Sequence, residues 1–144
     1  DFALFANFFD LVVVDAPCSG EGMFRKDPGA VEQWSLSNVA QCVARQRSIL
    51  TDIWSSLRPG GLLVYSTCTF NSEENEECVK WIAEELGATL LPLEVGDGWG
   101  ITLGVKWRMI GIQFAKDVEK NNRNRIHKKI LLQLYFIGCV SIII

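Results

Sequence analysis

The alternation of short apolar runs with longer helical patterns constrains the fold of this chain more than any other feature. Residues 9–15 form a continuous, β-branched run that ends in an acid and is followed by Ala16-Pro17. Such a run is typical of a strand buried on both faces, as in a parallel sheet. A second apolar run at 62–65 and an extended segment at 88–94 predict further strands.

A first helical pattern lies between the first two predicted strands. Ser35 or Ser37 can cap this helix, and its apolar residues recur at helical spacing to about Leu57. Arg-Pro-Gly-Gly at 58–61 then predicts a turn into the second strand. Residues 18–34 are predicted to form an irregular loop, because glycine and proline recur in them.

A second helical pattern follows the second strand. Asn71 and Glu74 resemble a capping box, so the helix is predicted to begin within the acidic run 73–77 and to end before Gly87. That acidic run fits a helix start better than a metal site. The order strand, helix, strand, helix, strand predicts an α/β fold with an open, mostly parallel sheet and flanking helices.

Two cysteines occupy the loops that leave the first two strands. Cys18 follows the strand that ends at Asp15, and Cys68 follows the strand at 62–65. Because the carboxyl ends of parallel strands meet at one edge of a sheet, where ligands bind, we expect both thiols and this acid at the same rim. Methylation of cytosine at carbon 5 needs this set: one activated thiolate, a second group that manages release, and an acid near the base.

The charge is distributed unevenly along the chain. Residues 1–104 carry fifteen acidic and six basic side chains, whereas residues 105–144 carry two acidic and eight basic ones. The acidic body argues against a broad phosphate-binding surface, although a local site for one base stays possible. Arg25 and Lys26 are the only adjacent basic pair in that body, and they fit either a phosphate contact or a solvated loop.

The cysteine spacing favours free thiols. The chain has an odd number of cysteines, and they form no C-x-x-C pair and match no zinc spacing, so we predict no metal. With no signal peptide at its start, the chain is expected to be intracellular and cytoplasmic. Cys42 and Cys78 lie on the inward faces of the two helices and are predicted to be packing residues. Cys139 allows no interpretation.

Residues 105–144 do not continue the pattern of the body. No acid follows Glu119, and the final apolar run has about fifteen residues, short of the roughly 20 that span a bilayer. Three explanations stay open for this unassigned tail: translation past a frameshift or truncated gene, an additional strand or helix, or a membrane tail. The first is favoured, and no membrane association is expected.

Two long motifs carry a resemblance to a known family. Residues 15–28 read DAPCSGEGMFRKDP and residues 65–76 read YSTCTFNSEENE, and a helix and an Arg-Pro-Gly-Gly turn join them. Both resemble signature loops of the Nop/Sun family of RNA 5-methylcytosine methyltransferases, and the first is most similar to the bacterial 16S ribosomal RNA branch. The resemblance covers residues 8–86, and a weaker similarity continues to about 104.

The resemblance implies a class I methyltransferase with a Rossmann-like sheet and S-adenosylmethionine as cofactor. It implies that Cys68 is the nucleophile and that Cys18 assists release of the methylated base. Asp15 would contact either the methionine end of the cofactor or the target base. The implied partner is RNA, in particular ribosomal RNA, from which the target base must be unstacked.

The chain also departs from the family pattern. Neither the Gly-rich cofactor loop that precedes the first motif nor the closing Gly-Glu-Gly-His-type stretch is found. We therefore expect residues 1–104 to be the C-terminal half of a catalytic domain, with an incomplete sheet. The isolated chain, which begins at Asp1 rather than methionine, is expected to be a fragment with little or no activity.

Other functions stay open on the sequence. One is a non-catalytic remnant, or a Rossmann-like module that binds RNA or a protein partner. A second is a DNA cytosine methyltransferase, in which the nucleophile would lie in the Pro17-Cys18 loop. A cysteine hydrolase is disfavoured, because His127 is the single histidine and lies in the tail.

Overall fold

The computed structural model describes residues 2–91 in full, together with two strands at 112–116 and 130–134. The elements in chain order are strand β1 (Phe9–Asp15), helices α1 (Pro28–Gln33) and α2 (Leu36–Trp54), strand β2 (Leu57–Ser66), helix α3 (Glu76–Glu85), and strands β3 (Ala88–Leu91), β4 (Ile112–Lys116) and β5 (Ile130–Leu134). Single 3-10 turns occur at Phe2–Phe5 and Glu21–Met23. The other predictions for residues 92–144 lie outside the described residues.

The strands form one sheet in the order β3-β4-β2-β1-β5. Strand β1 is parallel to both β2 and β5, and β4 is antiparallel to both β2 and β3. Four of the described strands therefore run in one direction and β4 runs against them. The predicted α/β fold, with an incomplete, mostly parallel Rossmann-like sheet, is confirmed.

The segment predicted to be an unassigned tail contributes two of these strands. Both β4 and β5 lie beyond residue 104, and each pairs with a strand of the body. The three explanations of this tail stay predictions. In the described part of the chain, helices are too short or too polar to cross a bilayer.

Helix α2 begins where the sequence predicts and ends earlier. The Ser35 hydroxyl accepts a hydrogen bond from the Asn38 backbone N–H at 3.1 Å, so the first of the two predicted caps is used. The helix ends at Trp54, and Leu57, predicted as its last residue, is the first residue of β2 and almost fully buried. The prediction failed because a single apolar residue satisfies the pattern of a buried strand as well as that of a helix.

The Arg-Pro-Gly-Gly segment lies inside β2 and does not form the predicted turn before it. The pairing register shifts there, because β2 advances from Leu57 to Leu62 while β1 advances by two residues. Gly60 adopts a φ of 73°, the left-handed conformation that glycine accommodates best and that such an irregularity in a strand requires. An ion pair between Arg58 and the buried Asp10 holds the same segment against β1.

The loop predicted at 18–34 contains a short helix. Helix α1 begins with Pro28, which suits a first helical position because its missing N–H would have no partner there. The carboxylate of Asp27 caps it by accepting a hydrogen bond from the Gly29 backbone N–H at 2.9 Å. The prediction of irregular structure is thus wrong for residues 28–33.

The second helix begins within the predicted acidic run, but its predicted cap is not formed. Helix α3 begins at Glu76, and the Asn71 side chain instead accepts a hydrogen bond from the Glu73 backbone N–H at 2.9 Å in the preceding turn. The capping box is wrong, because the Glu74 side chain is completely buried and bonded to other loops. Asn71 therefore shapes the turn that leads into the helix.

The core lies between the sheet and one face of each long helix. Helix α2 buries residues at spacings of three and four, which is one helical face, and α3 does the same. Cys42 and Cys78 are buried on these faces, as predicted. The core cluster consists of Phe9, Val12, Val14, Ala16, Leu50, Ile53, Leu57, Leu63, Tyr65, Cys78, Val79, Ile82 and Ala88.

Candidate active site

The loops that leave β1 and β2 converge at the carboxyl edge of the sheet. Asp15 and Ser66 are paired in register at the ends of these strands, and the Ser66 hydroxyl donates to the Asp15 carboxylate at 2.8 Å. Just beyond them, the Cys18 and Cys68 sulfur atoms lie 3.0 Å apart, and the Cys68 backbone N–H donates to the Cys18 sulfur at 3.3 Å. The predicted meeting of both thiols and the acid at one rim is confirmed.

A close backbone contact fixes the distance between these loops. The Gly22 N–H donates to the Cys68 carbonyl at 2.8 Å. A Cβ atom at position 22 would lie 2.5 Å from that carbonyl oxygen, which is closer than non-bonded atoms approach. Glycine at this position therefore lets the Cys18 loop approach the Cys68 backbone without displacing it.

A buried carboxyl group, that of Glu74, links the same loops by hydrogen bonds. Glu74 accepts hydrogen bonds from the Ser19 backbone N–H at 2.9 Å, the Ser19 hydroxyl at 2.5 Å and the Gln46 side-chain amide at 2.9 Å. Because the Ser19 hydroxyl donates to Glu74, it is left to accept from the Thr69 hydroxyl, 3.0 Å away. Ser19 follows Cys18 and Thr69 follows Cys68, so this network aligns the residues beside both thiols.

The start of helix α3 holds the Cys68 loop from the other side. The Tyr65 hydroxyl donates to the Glu74 carbonyl at 2.9 Å, and the Thr67 hydroxyl donates to the Asn75 amide oxygen at 2.6 Å. The Asn75 amide nitrogen donates in turn to the Thr69 carbonyl at 3.0 Å. These bonds leave the loop little freedom, so the position of the thiol is set before any ligand arrives.

This network is not among the features predicted from the sequence, although one signal for it is present there. Gln46 lies four residues after Cys42 and four before Leu50, both of which belong to the buried face of α2. A polar side chain in such an apolar stripe must find a buried partner. Its partners are Glu74 and the Pro17 carbonyl, each at 2.9 Å, and the search for them leads directly to the two loops.

The two thiols have different acidities. The hydrogen bond from Cys18 lowers the pKa of Cys68 to about 7, against the opposing effects of burial and of the nearby acids. The same hydrogen bond, together with deeper burial, raises the pKa of Cys18 above its ordinary value of 9.0. At neutral pH Cys68 is thus more readily ionised than Cys18, with about half of its thiols as thiolate, which suits Cys68 to act as a nucleophile.

This difference predicts a pH profile for alkylation. The rate at which iodoacetamide modifies Cys68 should rise through pH 7 and level off above it, because the thiolate is the reactive form and a lowered pKa keeps it populated there. In Cys18→Ala the midpoint should move toward 9, since the hydrogen-bond donor is removed. Peptide mass spectrometry at each pH measures both curves.

Cys42 and Cys78 serve as internal controls for that profile. Both are buried, and burial raises the pKa of each thiol, so both should react much more slowly. A Cys68 midpoint near 9 in the unmodified chain, or one that Cys18→Ala leaves in place, would show that the thiols are not coupled.

The remaining candidates lie at the margin of this site. Arg25 and Lys26 are exposed, and Arg25 lines an open cleft next to the Cys68 loop. The acidic run 73–77 divides between the turn and the start of α3. In residues 2–91, clusters of three or more potential metal ligands are absent.

Comparison with known proteins places the chain in a family. A family model described as 16S rRNA methyltransferase RsmB/F matches residues 2–126. Ribosomal RNA small subunit methyltransferase F of Salmonella heidelberg is 46% identical over 95 residues, which are 66% of this chain and 20% of that protein. The chain thus spans about a fifth of the length of such relatives.

Solved structures agree with this match. NSun6 from Pyrococcus horikoshii, solved with SFG, superimposes with a TM-score of 0.57 and 27% identity over 72% of this chain and 29% of that one. A methyltransferase homolog protein from the same organism gives a TM-score of 0.51 and 35% identity over 61% of this chain and 26% of that one. The resemblance seen in the two motifs is confirmed, and the chain belongs to the RsmB/F family of 16S rRNA methyltransferases.

Proposed function

We propose that this chain carries the nucleophile of an S-adenosylmethionine-dependent RNA cytosine-5 methyltransferase, and that the nucleophile is Cys68. The observation that carries the proposal is the pair of sulfur atoms 3.0 Å apart at the carboxyl edge of the sheet. Their unequal acidity gives each thiol a separate task, as a two-step covalent reaction requires.

In the proposed reaction the Cys68 thiolate adds to carbon 6 of cytosine. Addition breaks the double bond between carbons 5 and 6 and places electron density on carbon 5, which is otherwise a poor nucleophile. Carbon 5 is then able to accept an electrophilic methyl group, the chemistry that S-adenosylmethionine supplies when it is bound. The hydrogen bonds around Thr67 and Thr69 keep the sulfur in one position during the attack.

The second thiol acts when the product leaves. The proton on carbon 5 passes to water, its electron pair restores the double bond, and Cys68 is expelled as a thiolate. Cys18, which keeps its proton at neutral pH, donates a hydrogen bond to the returning negative charge. Loss of this donor should therefore slow release more than attack.

Asp15 fits the cofactor or the base at this edge. One of its carboxylate oxygens accepts from Ser66, and the side chain is only partly buried at the end of β1. A partly exposed carboxylate there can accept from the ammonium of the methionine end or from the amino group of cytosine. The neighbour solved with SFG, an analogue of S-adenosylmethionine, supports the choice of cofactor.

Ribosomal RNA is the proposed substrate. The support comes from the relatives, which are named as ribosomal RNA small subunit methyltransferases. Because the chain spans about a fifth of those proteins, we propose that turnover needs the rest of the enzyme. Covalent attack, which needs only the thiol and the base, is thus the step to measure on this chain.

An adduct assay tests the proposed function. We expect the chain to form a complex that survives denaturation with a short RNA in which 5-azacytosine replaces the target base, because the ring nitrogen at position 5 makes carbon 6 more electrophilic and stabilises the negative charge that the attack generates. A DNA strand of the same sequence should give several-fold less adduct. Gel electrophoresis under denaturing conditions measures both. Equal or greater yield with DNA would contradict the RNA assignment, and no adduct with either would favour a non-catalytic module.

A further inference from the structure

We propose that an open cleft beside Cys68 holds the nucleotide next to the target cytosine, with its base stacked on Phe70 and its phosphate paired with Arg25. The proposal rests on the proposed function, since it takes the target base to lie at Cys68. It adds a separate subsite for the flanking nucleotide and names the residues that hold it.

The cleft adjoins the proposed nucleophile. Its volume is about 510 Å³, and it is lined by Glu21, Gly22, Phe24, Arg25 and Phe70. Gly22, in its wall, donates a hydrogen bond to the Cys68 carbonyl, and Phe70 follows Cys68 by two residues. A nucleotide joined to a cytosine at the thiol would therefore enter this cleft first.

Phe70 has the properties of a stacking platform. Phe70 is 84% exposed, so its ring is accessible to a ligand. Its backbone is nevertheless fixed, because the Phe70 N–H donates to the Glu21 carboxylate at 3.0 Å. An aromatic ring that is exposed on an anchored backbone can stack with any base at little entropic cost.

One acid and one cation line the cleft, and the oxygens of the acid are already engaged in hydrogen bonds. Glu21 is the one acid that lines it, and both of its oxygens accept hydrogen bonds, from Trp34 at 3.1 Å and from Phe70. Arg25 is exposed on the same wall. Phe24 adds a second aromatic side chain, held edge-to-face against Trp34 with ring centroids 6.4 Å apart. One cation among aromatic rings matches a single-stranded nucleotide.

Photo-crosslinking tests this subsite. The probes are two short RNAs with an ordinary cytidine as target and 5-iodouridine either before or after it, a base that crosslinks to aromatic rings on which it stacks. We expect one of the two probes to crosslink the chain at Phe70, as located by peptide mass spectrometry. Phe70→Ala should remove this crosslink and weaken binding about tenfold, whereas Phe70→Tyr should keep both.

Matched variants separate the subsite from general effects. Phe5→Ala removes another partly exposed phenylalanine, which lies before the start of β1, away from the carboxyl edge. This variant should leave RNA binding and the crosslink at Phe70 unchanged. Arg25→Ala should weaken binding several-fold and reduce the slope of log K against log[salt] by about 0.7, the value for one phosphate contact on a single strand. Lys26→Ala should have a smaller effect, because its side chain does not line the cleft.

The outcomes distinguish this proposal from the proposed function. If the 5-azacytosine adduct forms but neither probe crosslinks at Phe70, the subsite is wrong and the catalytic assignment stands. If a probe crosslinks at Phe70 and no adduct forms, the cleft binds RNA and the catalytic assignment is wrong. Equal losses in the Phe5→Ala and Phe70→Ala variants would also overturn the subsite.

Discussion

Replacing Glu74 with alanine is expected to destabilise the protein by about 3 kcal/mol, because buried donors that lose their acceptor each cost about 1–3 kcal/mol. Glu74 is completely buried and accepts from the Ser19 backbone, the Ser19 hydroxyl and Gln46. Part of the loss is offset, since the Ser19 hydroxyl can turn to Thr69 and Gln46 keeps its bond to the Pro17 carbonyl. Urea denaturation followed by tryptophan fluorescence measures the change.

Glu74→Gln is the matched control for that loss. Glutamine keeps one oxygen to accept from the Ser19 N–H and Gln46, and its amide can donate to the Ser19 hydroxyl, which also accepts. We expect a destabilisation below about 1.5 kcal/mol, the ordinary net value of a single hydrogen bond. Equal losses of stability in the alanine and glutamine variants would contradict the network, because the hydrogen bonds that glutamine retains would then contribute nothing.

The largest effects on adduct formation are expected from replacing the two thiols, and the two replacements should affect different steps. Cys68→Ala should abolish the adduct with 5-azacytosine RNA, because it removes the sulfur atom that we propose to bond to carbon 6. Cys18→Ala should still form the adduct, more slowly at neutral pH, since the thiolate of Cys68 loses its hydrogen-bond donor. With ordinary cytosine RNA, in the complete enzyme, the Cys18 variant should retain adduct that the unmodified protein releases.

Cys42→Ala controls for the loss of a cysteine as such. Cys42 is buried on the inner face of α2, so its variant should form adduct at the unmodified level. The opposite pattern, in which Cys18→Ala abolishes the adduct and Cys68→Ala does not, would assign attack to the Pro17-Cys18 loop. That pattern is the one expected of a DNA cytosine methyltransferase.

The sequence was sufficient to predict where the thiols meet, because that meeting follows from local patterns. A buried apolar run followed by a proline predicts a strand and a loop, and the parallel direction of the two strands then places both loops at one edge. In the structure, Asp15 and Ser66 are paired at the ends of adjacent parallel strands, as this argument predicts. Strand propensity and the spacing of apolar residues are therefore enough to predict the position of the two loops, without knowledge of side-chain packing.

The order of the strands could not be predicted in the same way. Strand β4 lies between β2 and β3, although it comes from residues 112–116, after both of them in sequence. Insertion of a late, antiparallel strand depends on which sheet edge stays unpaired, a property of the assembled fold. The segment around it also lacks a clear period, so it gave no local signal.

Side-chain networks set the details that the sequence pattern missed. Asn71 and Glu74 have the spacing of a capping box, yet Glu74 turns inward to Ser19 and Gln46, and the helix begins at Glu76. The energy of a buried carboxyl group with three donors exceeds that of a helix cap on the surface. Spacing alone cannot reveal such a competition, because the partners are distant in sequence.

The residue that becomes bonded to the base tests the central claim most directly. The unmodified chain is incubated with 5-azacytosine RNA, the RNA and protein are digested, and tandem mass spectrometry locates the attached nucleoside. We expect the added mass on Cys68, with Cys18 unmodified. Attachment to Cys18, or to a cysteine outside the two loops, would contradict it.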